Sequence, residues 1–278
     1  MRSTLVQHGI MRCFPSAAVA AALSINLAQP AVAGSLQPVA KWTVDFGNDR
    51  CVAYRSFGDA NDPVLLLLRP SPVGDVLQLQ VAEKGINRQG TQEKASVAFG
   101  GDAPVPILSL QYGVSGQSVR MINLSKEQAA RLSAATTMRW SERGKQYDLA
   151  LGPMTKLIET VEKCKEMLAD HWNATLTKRM ALKVEPSMDK PILSLFSTND
   201  YPWDAVKGGQ SGLAHVVVLV DENGRIADCT LIATSGIALL DAQTCIIIRK
   251  RGKFAPAIGA DGKPTRGTFH QRVNWEMP

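Results

Sequence analysis

From Tyr201 onward the chain is punctuated so regularly that few folds can accommodate it. Residues 213–220 are a near-continuous apolar run of strand length. Asp221-Glu222-Asn223-Gly224 follows as a turn with Asn-Gly at its tip, and residues 225–233 read as a second strand. Together they predict an antiparallel hairpin, ended by Thr234-Ser235-Gly236. A helix is expected over about 237–250, stopped at Gly252, with Arg249, Lys250 and Arg251 complementing its C-terminal dipole as a solvated helix end. After the irregular link Phe254-Ala255-Pro256-Ala257 and a turn at Asp261-Gly262-Lys263-Pro264, residues 266–275 form the last strand. Tyr201-Pro202 opens a short helix in front. The order β-β-α-β allows one antiparallel sheet with the helix over one face.

Upstream, residues 38–176 read as a mostly β domain. Strands are expected at 42–46, 50–57, 64–68, 76–81, 95–99, 119–123, 137–140 and 147–151, several alternating with period two between Gly, Asp, Asn or Pro. One helix begins at Ser125, with Gln128 three residues on in a capping-box pattern. A second, amphipathic helix spans 153–172, with Pro153 in its first turn and Leu157, Ile158, Val161, Cys164, Met167 and Leu168 on its apolar face. Residues 177–200, punctuated by Pro186 and Pro191, read as a linker. The fold class expected is α+β.

The first 33 residues set the compartment. Arg2 and Arg12 carry charge without an acid, a short apolar run follows, and Ala31-Val32-Ala33 closes it. That layout is a secretory signal, with cleavage expected after Ala33. The run is shorter than the roughly 20 residues a membrane span needs. The expected product is a soluble periplasmic protein; a retained signal would make it an inner-membrane anchored one. Four cysteines remain after such a cut, and an even number in an oxidising compartment points to disulfides, with three pairings possible. Cys229 on the second strand, beside Ala227 and Leu231, would face Cys245 on the helix, which leaves Cys51 with Cys164. No CxxC or nearby His at ligand spacing argues for a metal.

Formal charge is +6, falling to +4 without Arg2 and Arg12. The excess is scattered and has no interleaved aromatics, which argues against nucleic acid as a partner. The three histidines of the mature chain, His171, His215 and His270, sit without a nucleophile motif, a zinc motif, a phosphate loop or paired carboxylates. Neither enzyme, cofactor nor small-molecule partner is indicated.

The C-terminal segment resembles the TonB C-terminal domain. The resemblance rests on Tyr201-Pro202, the strand start at Gly212, Asp221 with Gly224, Ser235-Gly236, Leu240-Asp241, Phe254 with Pro256-Ala257, and Gly262 with Pro264, in order over about residues 198–278. Each also has a plain structural role: Pro202 starting a helix, Gly224 taking a positive φ, Phe254 burying its ring beneath the sheet, Asp241 favouring the helix start. The resemblance implies a protein-binding module that takes an extended segment of an envelope partner, of outer-membrane receptor type, by strand addition. The pairing edge would be the last strand, through Arg266, Thr268, Phe269, His270, Gln271, Arg272, Val273, Asn274 and Trp275. The same edge could pair with a second copy to give a homodimer. TonB proteins also carry a membrane helix coupled to an inner-membrane motor and a long Pro/Lys/Glu-rich spacer. This sequence has a signal-type segment and a linker of at most about 80 Å fully extended. An accessory binding role is therefore expected, with energy transduction as the alternative if the signal is retained. A further alternative makes the N-terminal β domain the ligand- or wall-binding part, docked by the C-terminal module.

Overall fold

The computed structural model describes residues 34–85 and 90–277. The expected signal segment lies outside them. From Gly34 onward the described chain forms one compact unit.

Nine antiparallel strands build the first half: β1 (Thr43–Phe46), β2 (Cys51–Gly58), β3 (Pro63–Pro70), β4 (Leu77–Lys84), β5 (Thr91–Phe99), β6 (Val105–Val114), β7 (Gln117–Leu124), β8 (Thr137–Glu142) and β9 (Lys145–Ala150). Their order is β1-β2-β3-β4-β7-β6-β5-β8-β9. Leu36 bridges Leu149 on β9 and Pro38 bridges Phe57 on β2, so residues 36–39 tie the two ends of the sheet together. Backbone bonds Leu36 N–H to Asp148 (2.6 Å), Ala150 N–H to Leu36 (3.0 Å) and Val39 N–H to Ser56 (2.9 Å) hold that seam. This short seam closes the sheet into a barrel, with β1 and β9 as the terminal strands of the ladder. Phe57, Leu66, Leu68, Leu79, Ile122, Trp140 and Leu149 fill the interior.

α1 (Lys126–Ala134) starts at the expected capping box: Gln128 N–H donates to Ser125 Oγ, and Ser125 N–H to Gln128 Oε1 at 2.8 Å. α2 (Thr155–His171) buries Leu157, Val161, Cys164 and Leu168. Two details differ from expectation. Pro153 precedes the N-cap Met154 instead of lying in the first turn, and Met167 is 63% exposed because it falls off the buried stripe.

β6 was not anticipated, and its pattern explains why. Leu108, Leu110 and Tyr112 pack outward under a later helix, while Ser109 and Gln111, on the opposite face of the strand, are buried. Polarity is reversed relative to an ordinary barrel strand, and Pro106 further weakens the signal.

Residues 177–200 are not an extended spacer. They contain α3 (Leu176–Met180) at their start, β10 (Ser187–Met188), and 3-10 turns at Ile192–Leu195 and Thr198–Asp200. Ile192 is buried against the C-terminal core and Asp200 accepts two bonds from Arg251 (2.6 and 2.7 Å). Apolar side chains and one acid anchor the segment despite its two prolines.

The C-terminal half continues with α4 (Trp203–Lys207), β11 (Gly212–Val220), β12 (Ile226–Ala233), α5 (Ala238–Arg251), β13 (Phe254–Ala255), β14 (Ala257–Ile258), β15 (Pro264–Thr265) and β16 (Gly267–Trp275). β11 is central in a three-stranded sheet ordered β12-β11-β16. β10 pairs with β13, and β14 with β15. The chain is α+β, as the sequence indicates.

Both faces of the small sheet are covered. Val216, Val218, Val220, Cys229 and Leu231 pack toward α5. Val217 and Leu219 pack on Cys51, Cys164, Leu168 and Trp172 of the barrel half. A strand buried on both faces reads as an unbroken apolar run, which is the pattern of 216–220. The register of β12 shifts opposite Leu219/Val220 and His215/Val216. These bulges leave Ala227 and Ile232 on the barrel side, so Ala227 does not share a face with Cys229 and Leu231, contrary to the simple alternation. Disulfides join Cys229 to Cys245 and Cys51 to Cys164.

The basic run at the end of α5 is solvated, as expected, and two of its three cations are also paired. Arg249 pairs with Asp228, which is 4% exposed and also receives Arg69 of β3. Arg251 is committed to Asp200. One buried acid thus links barrel, sheet and helix.

Candidate partner-binding edge

β16 pairs with β11 from Gly212 opposite Trp275 to Val220 opposite Gly267. Its other side has no strand partner among the described residues. The strand alternates toward the α5 core: Val273 and Trp275 are buried, Arg272 and Asn274 exposed. Trp275 is fixed edge-on by Phe196 (5.6 Å) and Tyr201 (5.4 Å), and its indole N–H donates to Thr244 Oγ1 at 2.8 Å. Phe269 meets the half-buried ring of Phe254 at 5.1 Å, so Phe254 packs beside the sheet's core side. These anchors hold the strand in one register.

The strand begins at Gly267, one residue later than expected. Arg266 turns away: its carbonyl accepts from Asn173 Nδ2 (2.7 Å), and its guanidinium binds Glu222 (3.0 Å) and lies over Trp172 (5.7 Å). Gly267 itself is crowded, since a Cβ there would lie 2.7 Å from Pro186 Cγ. The start of the edge is covered, since Gly267 and Thr268 are both buried, and the exposed side chains of the strand are Arg272 and Asn274.

On the barrel-facing side of β16, His270 lies near His215, their rings 6.4 Å apart. Burial, with Arg179 and His215 nearby, pushes the His270 pKa down to about 4. Burial also lowers His215, with Arg272 adding to it. Both rings are therefore neutral at pH 7. Gln271 Nε2 donates to the Arg272 carbonyl at 2.6 Å.

The other residues singled out by sequence serve the scaffold. Tyr201 Oη bonds the Gln210 carbonyl (2.5 Å), and Pro202 is the N-cap of α4. Gly224 adopts φ +77°, where a Cβ would sit 2.2 Å from the Phe254 carbonyl oxygen. Asp221 accepts from the N–H groups of Asn223 (2.9 Å) and Arg225 (2.8 Å), closing the turn. Asp241 accepts from Ser235 N–H (2.8 Å) and from the Thr234 hydroxyl, and burial raises its pKa against those bonds. Gly236 has positive φ, Leu240 and Ala257 are fully buried, Gly262 turns with positive φ, and Pro264 lies in β15 next to the fixed link at Pro256.

Residues 197–277 match the family model of the Gram-negative bacterial TonB protein C-terminal. This segment is a TonB C-terminal domain. No curated protein and no solved structure matches the chain. The TonB family is a non-enzymatic interaction and energy-transducer domain of the Gram-negative envelope, whose partners include outer-membrane receptors. The matched range begins at Ser197, whose hydroxyl and N–H hold Asp200 (2.8 Å each), and so includes the acid that anchors Arg251. It ends just past β16. The TonB match does not reach the barrel. Among the described residues no helix is long and apolar enough to cross a membrane, and no group of three or more His, Cys, Asp or Glu could hold a metal.

Proposed function

We propose that the TonB C-terminal domain of this chain captures an extended segment of an envelope partner, of outer-membrane receptor type, by strand addition to β16. The observation that carries the reading is a strand anchored on its inner side by Val273 and Trp275 while its outer side lacks a strand partner among the described residues. An added strand would satisfy those backbone groups, and the exposed Arg272 and Asn274 would meet alternate side chains of the ligand. The role is accessory binding in the periplasm, after removal of a signal at 1–33. Domain limits of 38–176 and 201–278 follow the same reading.

Site-directed disulfide trapping tests it. Asn274→Cys and Arg272→Cys are each mixed with a cysteine scan of the receptor's periplasmic segment. Strand addition gives crosslinks at every second ligand position; crosslinks without that period, or none, would refute it. Val273→Pro, which removes a backbone donor, is expected to abolish capture. A correctly oxidised variant that still binds would exclude β16 as the edge.

A further inference from the structure

At the end of the barrel formed by the β4, β6–β7 and β8–β9 tips, the apolar filling gives way to a polar cluster with no part in strand addition. Gln111 of β6, Arg120 of β7 and Glu142 of β8 are each less than a tenth exposed, as is Ser109 behind them. Arg120 Nη1 lies 3.0 Å from Glu83 Oε1, and its Nε lies 2.8 Å from Glu142 Oε2. Lys145 Nζ is 2.6 Å from the same Glu83 oxygen. Two acids and two cations therefore offset one another.

Hydrogen-bond capacity is left over. Gln111 Oε1 is buried and accepts no hydrogen bond among the described residues, and Glu142 has only the neighbouring Ser109 hydroxyl and the Arg120 guanidinium as donors. An orphaned buried acceptor costs about 1–3 kcal/mol, which favours a donor from outside the chain at Gln111. Both residues line one cavity of about 260 Å³, with the exposed Lys84 and Arg143 at its rim. The reversed polarity of β6 points the same way: its apolar side chains are spent on docking α5 outside, and its polar ones are buried.

We propose that this cavity binds a hydroxyl-rich ligand of monosaccharide size, with sugar acids favoured over neutral sugars. Hydroxyls supply the donor that Gln111 requires and accept in return from the cations. A bare cation would face Arg120, and a bare anion would face Glu142, so neither fits the interior. The cavity is smaller than the roughly 300–1,000 Å³ of drug-sized ligand sites, which limits the ligand to about one ring. Arg143 at the rim is paired with Glu93 (2.6 Å), so Lys84 selects a carboxylate at the ligand's outer end.

Isothermal titration calorimetry of the purified protein with neutral hexoses, N-acetylhexosamines and hexuronic acids tests this. Saturable one-to-one binding of at least one sugar is expected, several-fold tighter for an acid than for its neutral parent. Gln111→Leu should weaken it at least tenfold, and Lys84→Glu should erase the preference for the acid while leaving the fold intact. No saturable binding across the panel would overturn the proposal. So would binding unchanged in Gln111→Leu, or, if that variant misfolds, an acid preference unchanged in Lys84→Glu. Receptor-segment trapping at β16 is read separately, so either site can fail without the other.

Discussion

At the scale of single residues, His270 makes β16 sensitive to acid. Its folded pKa of about 4 lies below the ordinary value of 6.5, so the unfolded chain binds the proton more readily. Its neutral form contributes full stability above pH 6.5, and that contribution is lost as pH falls from 6.5 toward 4. Discounted for partial exposure, the loss is about 1–2 kcal/mol. Urea denaturation at pH 7 and pH 4.5 should show a smaller difference for His270→Gln than for the parent protein. Gly224 is a second sensitive point. Any side chain there meets both a positive φ and the Phe254 carbonyl, so Gly224→Ala should cost at least about 2 kcal/mol in the same assay. The need for glycine at this turn was legible from Asn-Gly flanked by apolar strands. The partner of that glycine, a backbone oxygen thirty residues away, was not, because no local pattern encodes it.

At the scale of elements, alternation served where one face of an element is wet, and an unbroken apolar run marked β11, whose two faces are both covered. α2 and most barrel strands announce themselves by alternation, whereas β6 hides because its buried face is polar and its outer face is covered. The bulges of β12 misled in the same way: the disulfide pairing followed from the strand-helix arrangement, but the facing of Ala227 did not. The two disulfides close loops of very different size, spanning 16 and 113 residues. In the chain-entropy account they contribute about 3 and nearly 5 kcal/mol. Replacing Cys51 and Cys164 by Ala should therefore lower the denaturation midpoint more than replacing Cys229 and Cys245. The edge strand was legible from its place at the end of the β-β-α-β order. The covering of its first residue by Pro186 was not, since residues 177–200 gave no periodicity to suggest that they fold.

At the scale of the whole molecule, the barrel and the TonB C-terminal domain are joined by an apolar seam and by Asp228. That acid is shared between Arg69 of the barrel and Arg249 of α5. Asp228→Ala would unpair two part-exposed arginines and should cost about 2 kcal/mol, as expected for losing charge-assisted hydrogen bonds. Arg69→Ala should cost less, because Arg249 still neutralises the acid; equal losses in urea would show that the two arginines are not interchangeable partners. The β11–β16 pair does not stand alone mechanically, because Val217 and Leu219 of β11 pack on Cys51, Cys164, Leu168 and Trp172 of the barrel half. A partner strand pulled along its own axis would load the rungs from Gly212–Trp275 to Val220–Gly267 in shear, many at once, instead of unzipping them singly. Behind β11, the Cys51–Cys164 crosslink and α2 form a backing plate against which that shear is resisted. Under the proposed strand addition, the joint would resist tension along the strand and release by peeling across it.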